Sequence, residues 1–160
     1  MTVFRTFDPS SHNRIANIPS VRKTIGEHIP SDDPVDFSDS ALDALNWILL
    51  TDGKHAAAVF EIRGPCVLDG HIMFGPECRG RKALAVGREM LDWIFANTKA
   101  EIITAALPVS NMGARVFLNH LGFTADGLRL VSNQYWTKAH AWFHLMKYDH
   151  NMVNSALESL

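Results

Sequence analysis

Residues 75–95, GPECRGRKALAVGREMLDWIF, decide how the rest of the chain is read. Their second half spaces Ala83, Gly87, Met90, Leu91, Ile94 and Phe95 at helical intervals, which predicts an amphipathic helix over about 82–97. An Arg-Gly-Arg-Lys turn, residues 79–82, stands at its start. The first turn of a helix leaves backbone N–H groups without partners, and the aligned peptide dipoles place partial positive charge there. A glycine lets the backbone approach an anion, and flanking cations add charge-assisted bonds, so a pyrophosphate would be well held. A solvated basic corner is the other reading of the same residues. Neither GxxxxGK[ST] nor a complete G-x-G-x-x-G is present, which excludes a P-loop and a Rossmann fingerprint.

Working outward, NWILL, TDGKH and AAAVFEI (residues 46–62) predict a hairpin, with Asp52-Gly53 at the positive-φ positions of its turn. CVLDGHIMF (66–74) is a third strand, with Asp69, His71 and Met73 on one face and Gly70, Ile72 and Phe74 on the other. After the helix come a strand, EIITAALP (101–108), and a second helix, SNMGARVFLNHLGF (110–123). That helix turns Ala114, Phe117, Leu118 and Leu121 inward and stops at Gly122. Two late strands are expected near 128–132 and 141–148. The second sets Trp142, His144 and Met146 against Phe143, Leu145 and Lys147.

Before the hairpin, residues 2–7 read as a short strand, and Asp8-Pro9 as an N-cap and first helical residue. That helix carries Ile15 and Ile18 inward. A further helical turn begins at Pro19 and ends at Gly26. Residues 27–40 are loose and hold Asp32, Asp33, Asp36 and Asp39, suited to a solvated loop or to attracting a cationic amine. Ser38 or Asp39 caps a short helix through Leu45. The strand–helix–strand unit requires locally parallel strands with a right-handed crossover. The expected fold class is therefore α/β: a mixed, largely antiparallel twisted sheet flanked by helices, with a parallel β-α-β core. One domain covers 1–160, divided into 1–45, a core at 46–123, and 124–160.

Lys and Arg number 15 against 17 Asp and Glu, a net charge of −2, which argues against a nucleic-acid partner. No apolar run is long enough to suggest a signal peptide or a membrane span. The two cysteines, Cys66 and Cys78, fit free thiols in a reducing cytoplasm. Cys78 lies beside Arg79, which would depress its thiol pKa. His140 and His144 have no carboxylate or cysteine in phase, so no metal is expected. Tyr135 and Trp136 either wall a substrate pocket or anchor their loop. Val153, Leu157 and Leu160 gather on one side of the tail, which packs on the domain or on a second subunit, the latter giving a homodimer.

The order of elements, the Arg79-Gly80 turn and the later segment resemble the GNAT superfamily of acyl-CoA-dependent N-acetyltransferases. There the turn has the pattern [QR]-x-x-G-x-[GA], and the segment reads N-x-x-A-x-x-x-Y-x-x-x-G-F. Asn111, Ala114, Gly122 and Phe123 match the segment at the right spacing. The resemblance covers about 46–123. NIPSVRKTIG (17–26) is similar to the first helices of small members, phage-encoded ones included. Two departures stand out. With Arg79 in the arginine position, Lys82 and Leu84 replace the glycines, and Leu118 replaces the tyrosine that protonates the departing thiolate.

The resemblance implies acetyl transfer from acetyl-CoA to a primary amine of a protein or small molecule. Its cofactor-binding set is Met73, Phe74, Arg79, Gly80, Arg81, Lys82, Ala83, Asn111 and Phe117. The backbone N–H of Met73 or Phe74 would hold the oxyanion. The amine must lose a proton, and Asp69 and His71, sharing a strand face, are the candidate bases. Asn111 either fixes the acyl arm or caps its helix. A non-catalytic GNAT-like module that binds CoA or a protein partner is the alternative.

Overall fold

The computed structural model describes residues 2–25, 33–134 and 136–160, so Gly26, Asp32 and Tyr135 lie outside the described residues. β1 (Phe4–Thr6) leads to α1 (Ser10–Ala16), α2 (Pro19–Arg22) and α3 (Ser38–Leu42). The carboxylate of Asp8 accepts the Ser10 N–H at 2.9 Å, and Pro9, not Asp8, occupies the N-cap position. The same device starts α3, where Asp36 accepts from the Ser38 N–H and the cap position is Phe37. α3 ends at Leu42, not Leu45.

The hairpin follows as β2 (Trp47–Thr51) and β3 (Ala56–Ile62). Only Gly53 in its turn has positive φ, at 80°. Asp52 instead accepts from the N–H groups of Lys54, His55 and Ala56, which fixes the turn through its side chain. β4 (Val67–Phe74), α4 (Gly80–Asn97) and β5 (Ile102–Pro108) form the parallel crossover. α5 (Met112–Leu121) ends at Gly122, with φ 95°. β6 (Thr124–Ser132) and β7 (Thr137–Met146) each begin four residues before the expected strands. β6 is a sheet edge, so its polar residues face solvent and give no apolar signal. β7 stops at Met146 because α6 (Lys147–Glu158) begins there.

Among the described residues the sheet order is β1-β2-β3-β4-β5-β7-β6, parallel only between β4 and β5. α4 and α5 cover one face over a core that includes Phe60, Met90, Ile94, Ile103 and Phe143. α1, α2 and α3 cover the other face only in part, over Ile15, Leu49, Val59 and Met73. Among the described residues no helix is long and apolar enough to cross a membrane.

Candidate active site

β4 and β5 pair only at Val67–Ile102, Leu68–Ile103 and Asp69–Thr104, although both strands continue. Each then follows its outer neighbour alone: β4 stays with β3 as far as Phe74, and β5 with β7 as far as Pro108. The sheet therefore opens into a V whose apex is the Asp69–Thr104 pair.

The direction of the backbone groups in this V follows from the antiparallel ladder, in which hydrogen-bonded residues alternate. The Gly75 N–H donates to the His55 carbonyl at 2.7 Å, and the Val67 carbonyl accepts from Arg63 at 3.0 Å. Odd-numbered residues of β4 thus turn their backbone groups to β3, and even-numbered ones turn theirs into the V. Of the two candidate oxyanion donors, Phe74 presents its N–H to the opening. Met73 does not, because its N–H faces Ala57 across the β3 ladder and its side chain lies in the core beneath α1.

At the mouth of the V the chain passes from extended Arg79 into α4 through Gly80, with φ 57°. The helix starts there, two residues earlier than the apolar stripe indicated. Among the described residues no side chain caps its first turn, and no acidic residue stands in it. A Cβ on Gly80 would meet nothing within 4 Å, so the approach to these N–H groups is open. Arg81 and Lys82 are exposed. Ala83 is buried against the core and offers only its backbone, and Leu84 packs its side chain on the same core. The Arg79 guanidinium donates to the Phe74 carbonyl at 2.9 Å and so braces the limb of β4. Cys78 runs against expectation. Burial pushes its thiol up, helped by Asp52, and this outweighs the pull of Lys82 and Arg79.

At the apex, Asp69 and His71 project from the face opposite α4. Asp69 Oδ2 lies 3.2 Å from His71 Nε2, and its Oδ1 accepts from the Thr104 hydroxyl at 2.7 Å. Arg63 stands 4.0 Å away. Burial alone would raise the Asp69 carboxyl. The His71 hydrogen bond and charge, Thr104 and Arg63 more than offset it, and the group sits below the ordinary carboxylate range. Asp69 is thus an anion that orients an imidazole, whose side chain is 58% exposed. Thr104 had no sequence signal, since its place beside Asp69 depends on the register of two strands separated by a helix.

Asn111 sits at the N-cap of α5, where its Oδ1 accepts the Ala114 N–H at 3.2 Å. Phe117 meets Phe74 edge-on at 5.1 Å between centroids, which links α5 to the β4 limb. Leu118 is buried. Trp136 stacks on His140. A concavity of about 470 Å³ lies far from this site, between the last turns of α4 and the first turns of α6.

No protein-family model matches the sequence, and no curated protein matches it. Solved structures do match the fold. A GCN5-related N-acetyltransferase from Brucella melitensis has a TM-score of 0.72 and 14% identity, over 99% of this chain and 81% of that one. Spermidine N-acetyltransferase from Vibrio cholerae, in complex with CoA and spermine, has 0.67 and 14%, over 94% and 97%. Ribosomal-protein-alanine N-acetyltransferase from Brucella melitensis has 0.65 and 14%, over 91% and 99%. The seven-stranded mixed sheet with one parallel pair and flanking helices is the fold of these acetyltransferases.

Proposed function

We propose that this chain, built on the GNAT acetyltransferase fold, transfers an acetyl group from acetyl-CoA to a primary amine. One juxtaposition carries the reading. A V with free strand edges has an ordered carboxylate–imidazole pair at its apex and an uncapped, cation-flanked helix N-terminus at its mouth. The residues fit the co-substrate. The open N–H groups of Gly80, Arg81, Lys82 and Ala83 suit a pyrophosphate, with charge from Arg81 and Lys82. The inward-facing backbone of Gly70, Ile72 and Phe74 suits an extended amide-bearing arm.

Asp69 holds the Nε2 proton of His71, which leaves Nδ1 to accept. His71 takes a proton from the amine as its nitrogen bonds to the thioester carbonyl carbon. The Phe74 N–H stabilises the oxygen that becomes negative. The C–S bond then breaks and the thiolate leaves. Leu118 has no proton to give it, so the thiolate is protonated by solvent or by the His71 imidazolium. The apolar, buried Leu118 favours a second reading, a module that binds CoA without turnover.

Acetyl-CoA at millimolar concentration is expected to raise the melting temperature, because it binds only the folded state. Changing Arg81 and Lys82 together to alanine is expected to remove most of that rise. No rise in the unaltered protein overturns the cofactor reading. With a panel of amines, His71→Ala is expected to slow CoA release about 10²–10⁴-fold, the range of general-base catalysis. Binding without release, for every amine, selects the second reading.

A further inference from the structure

The half of the sheet that the described residues leave uncovered, on the face that carries His71, points to the chemistry of the acceptor. The register sets Asp69, Thr104 and His144 in one row across β4, β5 and β7. One step toward the mouth Ala106 pairs with Trp142, with His71 across the gap where β4 and β5 have parted, and a further step sets Pro108, His140 and Arg129 in line. α1 and α3 lie over β2, β3 and β4. Thr104, Ala106, Trp142 and His144 are left half-exposed. Ala106 fills little space, so a shallow trough runs from His71 to Trp142, wider than the roughly 10 Å of two paired-strand spacings because β4 and β5 have parted there.

The far wall of this trough is cationic. The Arg129 guanidinium lies 4.3 Å from the centroid of the Trp142 ring. Three carboxylates on this side are already engaged. Glu61 pairs with Arg63 at 2.8 Å, Asp69 with His71, and Asp126 lies 3.9 Å from His144 Nδ1. Arg129 pairs with no carboxylate among the described residues. A guanidinium stacked on an aromatic face keeps its edge of N–H donors free, the fork that matches a carboxylate bidentately. The indole N–H of Trp142 is buried without an acceptor among the described residues, and buried donors of this kind mark a missing partner.

We infer that the acceptor carries a carboxylate several bonds from its reactive amine, and that Arg129, held on Trp142, is the specificity-determining residue that reads it. The inference rests on the acetyltransferase reading above. An α-amine is too close to its own carboxylate to span the trough, whereas the side-chain amine of a lysine-like molecule reaches. A polyamine would set a second ammonium against Arg129.

L-Lysine and cadaverine, which differ by that carboxylate, are the test acceptors. In the unaltered protein kcat/KM is expected to favour lysine at least tenfold. Arg129→Met is expected to lower the lysine-to-cadaverine ratio about 10- to 100-fold, mostly through KM, the scale of hydrogen bonds to a charged group. Arg129→Lys should recover part of it, a charge without the fork. A preference for cadaverine, or a ratio that Arg129→Met leaves unchanged, overturns the inference while the acetyltransferase reading stands. If no amine turns over, calorimetry with Nε-acetyllysine and N-acetylcadaverine decides. Arg129-dependent binding of the first alone supports the inference, and equal or absent binding overturns it. Failure of acetyl-CoA to shift the melting temperature is the separate failure of the function reading.

Discussion

Gly70 shows how one residue holds the apex of the V in shape. A Cβ there would come within 2.7 and 2.9 Å of the Phe60 ring, which is 1% exposed and has no room to retreat. Gly70→Ala is therefore an overpacking change, expected to cost about 1–3 kcal/mol and to lower the urea midpoint. Asp69 and His71 flank this position, so a displaced backbone would also disturb their 3.2 Å contact. A variant as stable as the parent would mean that the ring relaxes and that the apex does not depend on the glycine. At this scale the sequence was partly legible. Asp69 and His71, two apart on a strand, had to share a face. Their partner Thr104, the turn of the Phe74 N–H into the V and the pairing of Arg129 with Trp142 all depend on register, which no local pattern encodes.

Among the elements, those with dense periodic signals were the most legible. Every member of the α4 stripe is buried, and Gly122 ends α5 in the left-handed conformation. β6 was legible only from Leu128, where Leu128 and Leu130 alternate with Arg129; the preceding residues are exposed and mostly polar, and a register shift between Ala125 and Leu128, with Gly127 at φ 87°, interrupts the strand. α6 was legible in part. Of its apolar residues Val153 is half-buried, close to Gly122, whereas Leu157 and Leu160 are exposed on this chain. A polar anchor without a sequence signal joins Val153. His150 is 2% exposed, its Nε2 lies 2.6 Å from Asp92 Oδ1, and Asn154 donates to the same oxygen at 2.8 Å. The His150 ring also packs against Phe95 at 5.2 Å. His150→Ala removes both the charge-assisted contact and the packing, and is expected to cost about 2–3 kcal/mol. Because the loss falls on the contact between α6 and α4, amide exchange in α6 should accelerate more than in α4. Equal acceleration in both would show that α6 unfolds only with the whole protein.

At the scale of the molecule, the helices on the partly covered face are tied to the sheet by a buried histidine. His12 on α1 has no exposed surface, and its Nε2 lies 2.9 Å from the Ala58 carbonyl on β3, with Phe37 edge-on to its ring. Burial holds its pKa below the ordinary histidine value of 6.5, even though backbone contacts and Asp8 pull the other way. The folded protein therefore keeps His12 neutral at a pH where the unfolded chain protonates it. The unfolded state then binds more protons, and stability rises with pH across that interval. The contribution is complete above pH 6.5 and is lost as pH falls toward the lowered value. Asp69 adds a second, more acidic window, with its stabilisation present above the ordinary carboxylate range and lost below it. The urea midpoint is thus expected to decline between pH 7 and pH 5, before carboxylates protonate, at a slope of at most about 1.4 kcal/mol per pH unit. His12→Gln keeps an N–H donor for Ala58 but does not titrate, so its midpoint should be flatter over the same interval. Equal slopes for the two proteins would remove His12 from the account and leave the attachment of the N-terminal helices to apolar packing alone.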